Sequence, residues 1–252
     1  MKITLAQIAS IAGDIEGNTA KIVEAAHKAK ASTLVIFPEL AVCGVCSAEM
    51  LQSPGFIDRC EKALDKIAAE CESIGVLVGC PVGIYNAAVY LFQGQRKVFK
   101  KKYLEDFECG VFEPSDADEL LQIGCHKYAV TIGKDLANTN DDEFLLQNRM
   151  DELMPLKPDI IINIGADRCG ENRSRTRHNE LRQNVLKHEI PLVFVNNVAS
   201  KKEATFDGGS MIFGYESYVV ASAPFFEEAV VDVNLECLIS MKHEDEQQDY
   251  IL

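Results

Sequence analysis

Apolar positions along the chain follow two periods that take turns. Ile3 to Ile8 alternates apolar and polar residues, which predicts a half-buried strand, and Ile22, Ala25, Ala26 and Ala29 then recur at helical spacing within Asn18 to Ala31. Thr33 to Phe37 is apolar and stops at Pro38, so a buried strand is expected there with Glu39 just past its carboxyl end. Open α/β folds place their chemistry at such strand ends. Phe56 to Ile74 predicts a second amphipathic helix, closed by Gly75, and Val76 to Gly79 the next strand.

The alternation then breaks. Ala87 to Phe92 and Val98-Phe99, parted by Gly94-Gln95, read as an antiparallel hairpin. Tyr103 to Leu121, acidic and carrying Gly110 and Pro114, predicts a loop that covers something. Strands follow at Tyr128 to Ile132, Asp159 to Asn163 and Pro191 to Asn196, with helices at Asp142 to Met154 and Ser174 to His188. Gly208 to Val233 predicts two or three strands turning at Gly214-Tyr215-Glu216. Helices outside and two sheets inside would bury this α/β series efficiently. A length of 252 residues with 47% hydrophobic content suits one large domain, expected over residues 1–236, and the acidic stretch His243 to Tyr250 marks 237–252 as a tail or linker.

Charge and cysteine content narrow the partners. A formal net charge of −14 disfavours nucleic acid and anionic membranes, and leaves small molecules or proteins. No apolar run reaches membrane-spanning length, and Asp14 and Glu16 interrupt the N-terminal apolar stretch in a way a secretory signal would not. Nine cysteines without a framework read as reduced thiols and imply a cytoplasmic protein. Cys43-Gly44-Val45-Cys46 could be a redox pair or half a zinc site, but no second pair or histidine motif accompanies it. His27, His126, His178, His188 and His243 are isolated from one another, and no glycine-rich phosphate loop occurs, so neither a metal nor a cofactor is expected. Arg168, Arg173, Arg175, Arg177 and Arg182 could hold an anion or an acidic partner; a solvated helix face with its preceding loop is the favoured reading.

Five ordered segments change the picture: Phe37-Pro-Glu-Leu40, Tyr85-Asn-Ala-Ala88, Lys101-Lys-Tyr-Leu104, Phe112-Glu-Pro114 and Phe206-Asp-Gly-Gly-Ser210. Together they resemble the nitrilase, or carbon–nitrogen hydrolase, superfamily, and within it the glutaminase domain of glutamine-dependent NAD synthetase. The resemblance implies a four-layer α-β-β-α sandwich and a Glu-Lys-Cys triad acting on an amide such as glutamine. In that chemistry a carboxylate takes the proton of a thiol, the thiolate attacks the amide carbonyl, and the ammonium stabilises the oxyanion. Glu39 matches the base and Lys101 the lysine. Read alone, Glu39 fits a helix N-terminal acid without chemistry and Lys101 a solvated edge strand defended by charge.

The nucleophile is what the resemblance does not supply. Where the family has Ile-Cys-x-Asp-Leu this chain has Ile132-Gly133-Lys134-Asp135-Leu136, and glycine has nothing to ionise or attack with. Cys125 stands at the opposite end of the same strand, roughly 26 Å away at strand rise. Cys109 and Cys169 lie on loops that topology brings near the expected pocket. The family's serine-bearing stretch reads Asn163-Ile164-Gly165-Ala166-Asp167 here, while Glu203 matches. The resemblance places Tyr103, Asp135, Gly165, Asp167 and Glu203 at the substrate. The expected reading is a carbon–nitrogen hydrolase domain impaired by Gly133 and retained as a structural or regulatory partner, of a synthetase domain or of another protein. The alternative is an amide hydrolase that uses a displaced thiol. A homo-oligomer is expected in either case.

Overall fold

The structure, a computed structural model, describes residues 1–29, 31–136, 148–198 and 206–235. Strands β1 (Lys2–Gln7), β2 (Leu34–Ile36) and β3 (Gly75–Val82) pair in parallel, and β4 (Tyr85–Phe92) and β5 (Gln95–Lys100) continue the sheet antiparallel. At the other edge β12 (Ala229–Asn234) pairs antiparallel with β1, giving the order β12-β1-β2-β3-β4-β5. The second sheet has the order β11-β10-β9-β8-β7-β6, built from β6 (Leu121–Ile123), β7 (His126–Ile132), β8 (Ile160–Gly165), β9 (Leu192–Asn196), β10 (Met211–Phe213) and β11 (Val219–Ser222). Its centre, β7-β8-β9, is also parallel.

Side-chain alternation turns these sheets into four layers. Ile3, Leu5, Ile36 and Leu77 of the first sheet meet Val130, Ile132, Ile162, Ile164 and Val195 of the second in one buried cluster. The opposite face of the first sheet, with Ala6, Val35 and Val78, packs on α1 (Ile15–Lys28) and α3 (Phe56–Glu70) through Ile22, Ala26, Leu64 and Ile67. Ala129, Ile161 and Phe194 of the second sheet pack on α4 (Arg149–Leu153) and α5 (Arg173–His188) through Met150, Leu153, Leu181 and Val185. The central strands, such as β2, β8 and β9, are buried on both faces and so read as apolar runs.

Several boundaries differ from those the sequence suggests. α1 starts at Ile15 because the Asp14 carboxylate caps it, accepting from Gly17 N at 2.9 Å. α3 stops at Glu70, short of Ile74, and β3 runs on to Val82. The single turn α2 (Ala48–Leu51), capped by Ser47, and the short strand β6 carry no period long enough to read. Of the helix expected over 142–154, only the part from Asn148 falls among the described residues, helical from Arg149, and 237–252 lies outside them. No helix among the described residues is long and apolar enough to cross a membrane.

Candidate active site

Carboxyl ends of strands from both sheets meet above the central core. Glu39 follows β2, Lys101 follows β5, Gly133 follows β7, and Gly165 ends β8, with Ala166 and Asp167 after it. Lys101 extends β5, its N–H bonded to Asn86 O at 2.9 Å, but its side chain turns inward and is 0% exposed, unlike a solvated edge lysine. Lys101 Nζ donates to Glu39 Oε1 and to Glu108 Oε2, both at 2.7 Å. Asn86 Nδ2 bonds the same two carboxylates at 2.7 and 2.5 Å. Ala166 N donates to Glu39 Oε2 at 3.1 Å, and Glu39 N to Gly165 O at 3.3 Å, so the two sheets are stitched together at the carboxylate.

Two carboxylates sharing one ammonium leave one negative charge uncompensated. Burial, partly opposed by Lys101 and reinforced by Glu108, raises the Glu39 pKa to about 7, which suits an acid that takes up and releases a proton near neutrality. For Lys101, burial alone would favour the neutral amine, but Glu39 and Glu108 outweigh it and hold the ammonium. Glu108 and Asn86 were not singled out from the sequence as site residues. Asn86 stood inside one of the family segments, whereas nothing in the loop distinguished Glu108 from Glu105 or Asp106.

Gly133 sits opposite this pair, at φ +50. A Cβ placed on it would lie 2.9 Å from Glu39 Oε2 and 3.0 Å from Lys101 Nζ. Its carbonyl accepts from Asn163 Nδ2 at 3.2 Å. Asp135 is buried and spends its oxygens on backbone: Oδ1 accepts from Lys102 N and Tyr103 N, Oδ2 from Ile132 N. It ties the turn after β7 to the segment after β5, and so fixes Gly133 against Lys101. Burial pushes its carboxyl up, against those backbone donors and Lys101.

Next to Gly133 lies a cavity of about 20 Å³, lined among others by Asn163, Asp167, Arg173, Arg177, Glu180 and Phe194. That volume admits about one water. Arg177 is almost fully buried, pairs with Asp207 at 3.0 Å and Asp167 at 3.9 Å, and stacks over Phe194. The solvated-face reading of the arginine cluster is therefore wrong at Arg177, because the periodicity that buries Leu181 and Val185 carries Arg177 inward on the same face of α5. Asp167 also approaches Arg173 at 3.8 Å.

The remaining predicted residues fall as follows. Gly165 packs against Phe194, where a Cβ would come within 2.9 Å of the ring. Tyr103 is half-buried beside Lys102 and does not line the cavity. Glu203 lies outside the described residues. Cys109, Cys125 and Cys169 are exposed, and none lines the cavity beside Gly133. Cys43 and Cys46 are buried, and among the described residues no three His, Cys, Asp or Glu side chains are arranged to hold a metal.

Comparison with known proteins identifies the family and the fold. The carbon-nitrogen hydrolase family model matches residues 2–242. The glutamine-dependent NAD(+) synthetase of Aquifex aeolicus is 27% identical over 247 residues, 94% of this chain and 42% of the synthetase. That of Synechocystis sp. is 29% identical over 248 residues, 90% of this chain and 44% of its own. The chain thus spans less than half the length of these relatives. The structure of the Acinetobacter baumannii glutamine-dependent NAD+ synthetase with ADP superposes with a TM-score of 0.81 at 24% identity, covering 94% of this chain and 46% of that one. A mutant of the amidase from Nesterenkonia sp. AN1, with acrylamide added at its active-site cysteine, superposes over 100% of both chains with a TM-score of 0.78 at 18% identity.

Proposed function

The chain belongs to the carbon–nitrogen hydrolase family, and from that premise we propose that Gly133 stands where the nucleophilic cysteine would be, leaving a domain that does not hydrolyse amides and serves as a structural or regulatory partner. One observation carries the reading. The Glu39 carboxylate and the Lys101 ammonium converge on the point a Cβ of residue 133 would occupy, and that residue has no side chain. An acyl-enzyme route needs a bond between that position and the substrate carbon. A base and an oxyanion-stabilising ammonium remain, with nothing to activate.

The neighbouring cavity supports the same reading. The Asp167, Arg173 and Arg177 ion pairs and the Phe194 ring crowd it, and the about 20 Å³ left among the described residues is less than glutamine fills. In this proposal Glu39, Lys101 and Gly133 are the relics of the triad. Asp135 positions the turn, and Gly165 and Asp167 mark the altered substrate end. The proposed partner is a protein, either a synthetase domain or a second copy of this chain.

Ammonia release from glutamine and from short aliphatic amides tests the proposal. No ammonia above a protein-free blank is expected. Turnover above the blank overturns it, and turnover abolished by Cys109→Ala or Cys169→Ala would assign the reaction to a displaced thiol.

A further inference from the structure

The acidic stretch His243 to Tyr250 is not absorbed by the family fold, since the carbon-nitrogen hydrolase match ends at residue 242. It carries Glu244, Asp245, Glu246 and Asp249, with no lysine or arginine among them. A chain whose net charge is already −14 repels such a stretch over most of its surface, so a place that holds it must gather cations that other acids have left free.

α3 presents such a place. Arg59, Lys62 and Lys66 recur at helical spacing on its outer side, and Ile15, Thr19 and Ala63 line the same cavity of about 300 Å³, where α3 packs beside α1. None of the three cations has an ion-pair partner among the described residues, and Arg59 rests over the Phe56 ring, 5.4 Å from its centre. Asp14 and Glu16 share the cavity, but the Asp14 carboxylate is turned to its own helix, where it accepts from Gly17 N. A second cavity of about 480 Å³, walled by Val23, His27 and Glu70, meets the first at Lys66. The two form one groove along the α1–α3 seam that runs to the last turns of both helices.

We propose that this groove seats the chain's own acidic stretch, Glu244 to Asp249, held in cis by Arg59, Lys62 and Lys66. The route is set at one end of the first sheet. Leu235, the last described residue, donates from its N–H to Met1 O at 2.8 Å; Thr33, after α1, donates to Lys2 O at 2.8 Å; and Gly75, after α3, donates to Thr33 O at 3.1 Å. The chain therefore leaves β12 at the end where α1 and α3 finish. α1 lies between β1 and β2 in the chain and α3 between β2 and β3, so their seam runs over β2, two strand spacings or roughly 10 Å from β12. Arg59 stands eleven residues before Glu70 on α3, about 16 Å along the helix. Glu244 follows Leu235 by nine residues and Asp249 by fourteen, which span about 30 and 46 Å when extended. The first reaches Lys66 and the second Arg59.

Tethering decides which copy of the stretch is held. A segment on so short a leash has an effective concentration in the millimolar range, which outcompetes the same segment of another chain at micromolar concentration. Arg175 and Arg182 of α5 are also exposed, but they belong to the opposite outer layer, beyond both sheets. The proposal is independent of whether Gly133 replaces a nucleophile.

The test couples amines to carboxylates in the intact wild-type chain with a zero-length carbodiimide at micromolar concentration, followed by peptide mapping of the single-chain and double-chain fractions. Amide links from Lys62 or Lys66 to Glu244, Asp245, Glu246 or Asp249 are expected in the single-chain fraction, and they should be lost when high salt screens the charges. Arg59→Glu changes an exposed side chain and leaves both reporting amines in place; it should lower the yield of these links several-fold. Absence of the links from the wild type, their confinement to double-chain species, equal yields to lysines outside the groove, or yields unmoved by Arg59→Glu would each overturn the proposal.

Discussion

Lys101 is the only cation in contact with two buried carboxylates, Glu39 and Glu108, among the described residues. Removing one partner of such a cluster costs more than the cluster contributes, since the survivors stay buried and unpaired. Lys101→Met is therefore expected to lower stability by about 3–5 kcal/mol, read from urea denaturation at pH 8, with a smaller loss at pH 5 where a protonated carboxyl needs no partner. Glu39 gives a pH signature of its own. Its folded pKa of about 7 lies above the ordinary 4.5, so the folded state holds the proton more tightly. The stability it contributes is complete below pH 4.5 and is lost as pH rises through 7. Glu39→Gln, which keeps the neutral shape, should flatten that decline relative to wild type in paired melts at pH 5 and 8. At Gly133 a thiol would arrive between a carboxylate and an ammonium, on a backbone at positive φ that costs a side chain roughly 1–2 kcal/mol. Gly133→Cys should melt lower by that amount and react with iodoacetamide faster than any native cysteine. Equal or slower reaction would show that Glu39 and Lys101 do not activate a group at that position.

At the scale of elements, α5 offers a contrast within one helix. Arg177 points at Asp167 and Asp207 and is buried, while Arg175, two residues earlier, is exposed. Arg177→Leu is expected to cost about 3–5 kcal/mol by stranding Asp207, and Arg175→Ala less than about 0.5 kcal/mol, both from denaturant midpoints. This distinction marks how far the sequence could be read. Period and apolar content revealed the three-strand cores of both sheets, because strands such as β2 and β8 are buried on both faces and show it in every residue. They revealed α1 and α3 for the same reason of burial. An arginine on a buried stripe looks the same in sequence as one on a wet face; what separates them is Asp207, thirty residues on, which no local pattern connects to it. Glu108 was hidden likewise, since a loop acid becomes a partner of Lys101 only once the chain has folded back over it. Glu39, Lys101 and Gly133 were legible as an ordered set of motifs, and the structure adds that they meet at one point.

For the whole molecule, the outer helices leave apolar side chains uncovered, with Leu156 and Leu186 both exposed on the helical side of the second sheet. Association through outer helices is the proposed use of this face, and light scattering at micromolar concentration is expected to give at least twice the 27.9 kDa of one chain. A monomer at that concentration would remove the proposal. The pairing of β1 with β12 has a consequence in time rather than in space. Lys2 lies opposite Asn234 and Gln7 opposite Ala229, so one side of the first strand stays open until nearly all the described chain has been made. Such distant pairing is slow to form, and an unpaired strand edge is a template for other chains. During synthesis the ribosome would carry a nascent chain whose β1 is already buried on its faces yet bare along one edge. Overexpression at high temperature should therefore divert this protein into aggregates before completed molecules begin to melt.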